Sequence, residues 1–217
     1  MANAIQRIVI GDEPDAWRGA GFTVVGNELT LGKVVIELAG VESGRGVLGW
    51  SIAGVTGEID GLPMCSTTSE AMAIPSERRS ASTNAVFAID HVVVETNDMD
   101  RTISAFAAVG MAERRSATMS THMGDRRQSF LWAGRVIIEV IGPVEGKESG
   151  QSTGTASIWG LALVSSNLQT TAHVLDDKLS EPRDAVQPGR KIATVRTKEL
   201  DISVPLVVMS PHVAELL

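Results

Sequence analysis

A pattern that occurs twice is the strongest constraint on the fold of this chain. Gly32-Lys-Val-Val-Ile-Glu-Leu-Ala-Gly40 lies over Gly134-Arg-Val-Ile-Ile-Glu-Val-Ile-Gly142, so that Glu37 aligns with Glu139. A repeated segment of this kind indicates repeated structural units. Both glutamates stand among apolar β-branched residues that predict a buried strand, and a carboxylate in that position needs a partner.

The second copy ends a longer unit, which begins with another apolar strand. That first strand contains His91, and Asp98 then provides the N-cap of a helix whose apolar residues recur at helical spacing until Gly110. The predicted elements are a strand at 88–95, a helix at 98–109, and strands at 113–119, 128–132 and 135–141. The unit is therefore βαβββ, with a histidine in its first strand and Glu139 in its last.

Partial copies of this unit precede and follow it. The predicted elements are strands at 5–10, 22–25, 28–31, 33–39 and 47–53 before it, with a short helix after the first, and a strand at 157–164, a helix capped by Asn167 and strands at 191–196 and 202–209 after it. We predict an α+β protein with a degenerate unit plus one extra strand at 1–56 and paired units at 86–217. A linker rich in Ser, Thr, Gly and Pro joins them at 57–85.

The repeated βαβββ unit resembles the vicinal oxygen chelate superfamily, which includes glyoxalase I, extradiol dioxygenases and bleomycin-resistance proteins. The resemblance rests on Ile89-Asp-His-Val-Val-Val94 with Asn97-Asp-Met-Asp100, and on Ile137-Ile-Glu-Val-Ile-Gly-Pro143. It implies a glyoxalase-like fold, in which the curved, barrel-like sheets of two paired units enclose one cleft. It also implies that His91 and Glu139 are ligands of a divalent metal (Ni, Zn, Mn or Fe), and that Glu139 is catalytic as a proton-shuttling base.

The last unit departs from this family pattern. Gly160 aligns there with His91, and Val207 aligns with Glu139. The paired units thus offer half of a metal site, whereas a stable divalent site normally needs three or more protein ligands. The alternative for His91 is a core histidine that is hydrogen-bonded to Glu139 or to the backbone.

Other polar residues are candidates to complete or replace the site. His122 in a loop and His212 near the C-terminus are the histidines that could swing in, whereas His173 is predicted on a helix toward solvent. In the first unit, Arg7 aligns with the strand histidine. We predict an ion pair between Arg7 and Glu37 in place of a metal site there. The alternative is that Glu37 completes the metal site, which requires that the first unit pairs with the second or that two chains pair.

Three further side chains are predicted to bind a substrate: Gln128, Trp159 and Arg190. Gln128 and Trp159 would orient a ligand in a mainly apolar pocket, and Arg190 would bind an anion. For Trp132 and Trp159, burial in the core is the competing interpretation and the one that we expect.

Two classes of function remain open from the sequence. The first is a glyoxalase- or dioxygenase-like enzyme that acts on a small substrate with vicinal oxygens, through a metal held by His91 and Glu139. The alternative is a metal-free protein that binds or sequesters a small molecule, as bleomycin-resistance proteins do. A third possibility is a structural paralogue whose degenerate unit serves oligomerisation. The retained His/Glu pair favours the enzyme, and the missing second pair favours the binding protein.

Charge and composition argue against other classes. The 217 residues carry a net charge of −7 at pH 7, which disfavours a nucleic acid or an anionic membrane as partner. The single cysteine, Cys65, permits no intrachain disulfide, and no apolar run approaches the ~18 residues of a membrane helix. Because the start of the chain lacks the pattern of a signal peptide, we expect a cytoplasmic protein that binds a small molecule, with a homodimer as a candidate assembly.

Overall fold

The computed structural model describes residues 3–65, 82–121, 124–144 and 154–212. Its strands are β1 (Ile5–Ile10), β2 (Glu28–Leu31), β3 (Val34–Leu38), β4 (Val47–Ile52), β5 (Val86–Glu95), β6 (Glu113–Thr121), β7 (Gly124–Ala133), β8 (Val136–Pro143), β9 (Ser157–Ser165), β10 (Arg183–Asp184), β11 (Lys191–Thr194) and β12 (Leu206–Met209). Its α-helices are α1 (Pro14–Gly19), α2 (Met99–Ala108) and α3 (Leu168–Leu175), and short 3₁₀ helices cover Val41–Ser43, Asp176–Lys178 and Thr197–Leu200.

The second and third units lie side by side in one eight-stranded sheet of order β10-β11-β12-β9-β5-β8-β7-β6. In each unit the first strand pairs in parallel with the last, β5 with β8 and β9 with β12. The two first strands, β5 and β9, pair antiparallel with each other and join the units. The sheet curls into a half-barrel, which confirms the predicted α+β fold with curved, barrel-like sheets.

Helices α2 and α3 begin at the caps that the sequence predicts. Asp98 Oδ1 accepts a hydrogen bond from Arg101 N at 3.0 Å, and Asn167 Oδ1 accepts from Gln169 N at 2.9 Å. Such caps satisfy amide groups that have no partner within the first turn of a helix.

The two faces of the eight-stranded sheet differ. Val92 of β5 and Ile138 of β8 are fully buried and belong to the same apolar core as Phe106 of α2. Because side chains alternate along a strand, the residues between these core positions point away from the helices. We call this opposite side the open face, and His91 lies on it.

The first unit is shorter than predicted. It lies in a four-stranded sheet of order β2-β3-β1-β4, and two strands instead of three follow α1 before β4. Residues 22–25 are not a strand, although Val25 and Glu28 form a single bridge across the predicted turn. The cause is Phe22: its N–H donates to Trp17 O at 3.1 Å, and its ring centroid lies 5.0 Å from that of the Trp17 indole. These contacts hold the segment against α1.

Strand β4 pairs antiparallel with β1, in the place that β9 takes beside β5. The extra strand predicted at 47–53 thus lies where the first strand of a neighbouring unit lies in the eight-stranded sheet. The division of the chain at residues 57–85 stays a prediction, and residues 66–81 of that linker lie outside the described part. Within the described ranges, no helix has the length and apolar character needed to cross a membrane.

Candidate functional site

A bulge in β5 brings Asp90 and His91 together. Ile89 pairs with Leu163 and His91 pairs with Ala162, so Asp90 is an extra residue between two ladder positions. Neighbouring side chains of a regular strand point to opposite faces, whereas a bulge re-aims one of them. As a result, Asp90 Oδ2 lies 2.8 Å from His91 Nδ1.

Glu139 lies beside His91 on the neighbouring strand. Glu139 pairs with Val93, two residues after His91, so both polar side chains are on the open face. The distance from His91 Nε2 to Glu139 Oε2 is 3.2 Å, and Gln128 Nε2 donates to Glu139 Oε1 at 2.5 Å. Glu139 therefore has a partner at each oxygen, although the residue is only 7% exposed.

Arg190 compensates the charge of Asp90 from the other side. Its Nη2 lies 2.7 Å from Asp90 Oδ1, and the guanidinium also donates to Ser210 O at 2.8 Å and to Gln187 Oε1. Burial acts to raise the pKa of Asp90, but the contacts with His91 and Arg190 outweigh it and lower this pKa from 3.8 to about 2. Asp90 is therefore ionised at neutral pH.

These contacts form one chain of polar groups, which runs Arg190, Asp90, His91, Glu139, Gln128. Because Asp90 is ionised, it accepts the Nδ1–H of His91, and Nε2 then faces Glu139. Nε2 and Oε2 are 3.2 Å apart, so a ring nitrogen and a carboxyl oxygen, which are groups that can donate and accept a proton, are in contact. All members except Asp90 are singled out by the sequence, and the structure joins them.

The equivalent positions of the first unit hold the predicted ion pair. Arg7 Nη1 lies 2.6 Å from Glu37 Oε2 and 2.6 Å from Glu28 Oε1. Arg7 aligns with His91 and Glu37 aligns with Glu139. An internally compensated ion pair thus replaces the imidazole and carboxylate, and the predicted pairing of Arg7 with Glu37 is confirmed.

Two tryptophans expected in the core are instead half exposed, Trp132 at 52% and Trp159 at 53%. That expectation is wrong for both. Trp132 pairs with Ile137, which pairs with His91, so the indole stands on the open face. Trp159 is the extra residue of a bulge in β9, where the regular alternation into the core is interrupted. Both indoles are accessible to a ligand.

The His91–Glu139 pair fits two positions of a metal site. Two ligand atoms at about 2.1 Å from a cation and at right angles to each other are about 3.0 Å apart, close to the 3.2 Å between Nε2 and Oε2. Asp90 also holds the other ring nitrogen, as carboxylates commonly do for a metal-ligating histidine. However, among the described residues no group of three or more His, Cys, Asp or Glu side chains could hold a metal ion. Water or substrate oxygens would have to fill the remaining positions.

The two positions that the family pattern assigns to further ligands offer no donor. Gly160 has no side chain, and Val207 has an apolar one. A Cβ on Gly160 would lie 2.8 Å from Pro205 O, so a histidine there would force the backbone to move. Among the described residues, these two positions therefore add no ligand to His91 and Glu139.

The remaining histidines do not join the His91–Glu139 pair in the part of the chain that is described. His122 lies outside the described residues, and His173 is exposed on α3, as predicted. His212 comes nearest: its Nε2 accepts from Arg190 Nη1 at 3.1 Å and lies 3.8 Å from Asp90 Oδ1. His212 thus contacts the chain of polar groups at its Arg190 end.

Arg190 and Asp90 differ most from the sequence-based expectation. Arg190, predicted to bind an anionic substrate, is only 1% exposed and already faces a carboxylate. Its position favours a role in holding Asp90 over direct contact with a substrate. Asp90 is not among the predicted site residues, although one signal marks it: two adjacent polar residues, Asp90 and His91, interrupt an apolar strand and indicate a bulge.

Comparisons with known proteins concern the fold. The sequence matches no protein-family model, and a search of curated proteins finds no match. A solved variant of 4-hydroxymandelate synthase from Streptomyces coelicolor is similar with a TM-score of 0.63 and 11% identity, over 98% of this chain and 93% of that one. A catechol 2,3-dioxygenase is similar with a TM-score of 0.54 and 10% identity, over 97% of this chain and 93% of that one. A xylose isomerase-like TIM barrel/4-hydroxyphenylpyruvate dioxygenase fusion protein has a TM-score of 0.63 and 10% identity, over 97% of this chain and 49% of that one.

Paired βαβββ units in a half-barrel define a glyoxalase-like α+β protein. The chain has a fold similar to that of these solved structures, and the glyoxalase-like fold that the sequence resemblance implies is confirmed. Because one fold supports many reactions, the activity has to be argued from the site itself.

Proposed function

We propose that the chain is a glyoxalase- or dioxygenase-like enzyme that acts on a small substrate with vicinal oxygens at the open face. The observation that carries this proposal is the 3.2 Å contact between His91 Nε2 and Glu139 Oε2. Each of the two groups is held through its other polar atom, His91 by Asp90 and Glu139 by Gln128. A fixed acid–base pair of this kind is suited to proton transfer in a transition state.

We assign proton transfer to Glu139. Its carboxylate takes a proton from a carbon that bears one of the vicinal oxygens and returns it to the neighbouring carbon. Asp90 fixes the orientation of His91, and Gln128 fixes that of Glu139, so neither group has to reorganise during the reaction. A divalent metal (Ni, Zn, Mn or Fe) held by His91 and Glu139 would polarise the two substrate oxygens.

A metal-free protein that binds a small molecule, of the bleomycin-resistance type, is the second candidate. It is favoured by Gly160 and Val207, which provide no metal ligand. Trp132 and Trp159 present half-exposed rings, which suit an apolar ligand. In this case the His91–Glu139 pair orients the polar groups of the ligand and performs no chemistry.

Replacement of Glu139 by glutamine separates the two candidates, because glutamine keeps the shape of the side chain and removes its proton-transfer group. For an enzyme, we expect turnover of α-keto aldehydes, supplied as hydrates or thiol adducts, because their aldehyde carbon bears both an oxygen and the proton that Glu139 would take. Catechols, whose oxygen-bearing carbons carry no hydrogen, test the dioxygenase-like reaction with O2 instead. Glu139→Gln should lower kcat by about 10²–10⁴-fold with little change in Kd. Glu95→Gln is the matched control, since Glu95 ends the same strand as His91, is paired with Arg126 at 2.7 Å and lies outside the chain of polar groups.

Elemental mass spectrometry of the purified protein tests the metal, with His91→Ala as the comparison. Since the described residues offer two ligands, we expect weak retention of metal after dialysis and stronger retention when a catechol supplies two further oxygens. The metal should be lost in His91→Ala. If the protein binds these compounds without converting them, and Glu139→Gln binds them equally well, the enzyme proposal is wrong and the binding protein is supported.

A further inference from the structure

A separate cavity of about 760 Å³ lies between the two sheets. It is lined mainly by residues 4–6 and 31–34 of the four-stranded sheet and by residues 87–90 and 132–137 of the eight-stranded sheet, and we call it the seam cleft. Its volume falls within the range of about 300–1,000 Å³ that is common for small-molecule sites. Asp90 and His212 reach its wall, whereas His91 and Glu139 are not among its lining residues.

The two walls of the seam cleft are equivalent segments of the repeat. Gly32-Lys33 aligns with Gly134-Arg135, and each pair forms the two-residue turn of a hairpin, between β2 and β3 or between β7 and β8. The φ angles of the two glycines are 65° and 75°, a backbone conformation that glycine adopts without strain. Matching turns thus present Lys33 and Arg135 to one cavity.

These two cations have no ionic partner among the described residues. Neither Lys33 nor Arg135 makes an ion pair there, whereas Arg7 and Arg190 do. The acidic residue of the lining, Asp90, is already paired with Arg190 at 2.7 Å. In a chain with a net charge of −7, a cavity with two cations that no described residue compensates attracts an anion.

The rest of the seam cleft is mainly apolar and includes two exposed rings. Phe87 is 46% exposed and Trp132 is 52% exposed, and both line the cavity. Ile5 and Val136 contribute further apolar surface to its walls. Exposed aromatic surface beside cations matches a ligand with an apolar body and an anionic end.

We propose that the seam cleft binds a small apolar carboxylate, whose body packs against Phe87 and Trp132 and whose carboxylate lies between Lys33 and Arg135. Charge distinguishes this ligand from other apolar molecules. An uncharged analogue of the same size would make the same apolar contacts but no ionic contacts with Lys33 and Arg135. The side chains proposed to hold this ligand are not His91 and Glu139, which carry the proposed reaction, and Asp90 at the border of both sites is already paired with Arg190, so the two proposals are tested separately.

Isothermal titration calorimetry of the full chain with octanoate and with octanol tests this proposal. The two compounds share one alkyl chain, so the ratio of their Kd values measures what the cations contribute. We expect octanoate to bind more tightly than octanol. The Lys33→Ala Arg135→Ala double variant should weaken octanoate by roughly 5–20-fold, the effect of two exposed ion pairs, and leave octanol unchanged. Trp132→Ala should weaken both.

Arg183→Ala Lys198→Ala is the matched control, because these cations also make no ion pair with a described residue and do not line the seam cleft. Equal affinities for octanoate and octanol, or an octanoate affinity that survives loss of both turn cations, would overturn the proposal. So would a dimer in sedimentation velocity that Trp132→Ala dissociates, since a second copy would then cover the rings. Glu139→Gln should retain octanoate binding, which keeps this result apart from a failure of the proposed reaction.

Discussion

Replacement of Asp90 by asparagine removes a carboxylate that lies 2.8 Å from His91 Nδ1 and 2.7 Å from Arg190 Nη2. The pKa of Asp90 is lowered from 3.8 to about 2, and at ~1.4 kcal/mol per pH unit this difference corresponds to about 2 kcal/mol of stability at neutral pH. The variant also leaves the Arg190 guanidinium buried without a counter-charge, and breaking a buried pair costs about 3–5 kcal/mol. We expect the free energy of unfolding at pH 7 to fall by about 3 kcal/mol.

The loss should shrink in acid. A carboxyl whose pKa is lower in the folded than in the unfolded state stabilises the fold above the unfolded value. This contribution disappears as the pH falls through the folded value. With the Asp90 pKa at about 2 instead of 3.8, the stability of the wild type should drop more steeply than that of Asp90→Asn between about pH 5 and about pH 2. Urea unfolding followed by tryptophan fluorescence at a series of pH values measures this difference.

Asp184→Asn provides the control for an exposed ion pair. Asp184 Oδ1 lies 2.7 Å from Lys191 Nζ, but the Asp184 side chain is 86% exposed, and such pairs contribute less than about 1 kcal/mol. Asp90→Asn Arg190→Met should recover part of the lost stability, because no buried charge is then left alone. The reasoning is refuted if Asp90→Asn and Asp184→Asn cost the same, or if the cost of Asp90→Asn is independent of pH.

Two further substitutions test local structure. Asn167→Ala should lower the stability by about 1 kcal/mol, because Asn167 Oδ1 accepts two N–H groups of the first turn of α3; an unchanged Tm in thermal unfolding would contradict the capping role. Gly134→Ala should cost more than Gly26→Ala: both glycines have positive φ, but a Cβ at Gly134 would lie 2.7 Å from Ala4 Cβ, whereas nothing lies within 4 Å of one at Gly26. We expect about 1–2 kcal/mol for Gly26→Ala from φ alone and a larger loss for Gly134→Ala in urea unfolding, and equal losses would show that the contact relaxes freely.

The second unit could be predicted closely because independent local signals agree there. The strand predicted at 88–95 is β5, and the helix predicted at 98–109 is α2, which lies between its cap Asp98 and Gly110. The strand predicted at 22–25 fails for the opposite reason. Its residues favour a strand locally, but the packing of Phe22 against Trp17 overrides that preference, and a contact between side chains is not encoded in strand propensity.

The candidate site shows the same limit. His91 and Glu139 could be predicted because a polar residue inside an apolar strand needs a partner. In the structure each is a partner of the other, with 3.2 Å between Nε2 and Oε2. The role of Asp90 depends on a bulge, and that of Arg190 on the pairing of distant segments. The exposure of Trp132 does not follow from the sequence, because the strand pattern shows alternation but not which face remains uncovered.

The repeat explains how one chain presents two different kinds of cavity wall. His91 lies in the middle of β5 and Glu139 in the middle of β8. The equivalent strands of the first unit carry Arg7 and Glu37, whose opposite charges neutralise each other. The proposed proton transfer is therefore confined to the second unit. The hairpin turns, in contrast, keep a cation in both units, so the seam cleft has two similar walls where the open face has one reactive pair.

A ligand of the seam cleft should consequently depend on the two turns to a comparable extent, and the single variants of Lys33 and Arg135 should weaken octanoate binding by similar factors. A strong effect of one and none of the other would show that the walls, although equivalent in the repeat, are not equivalent in binding.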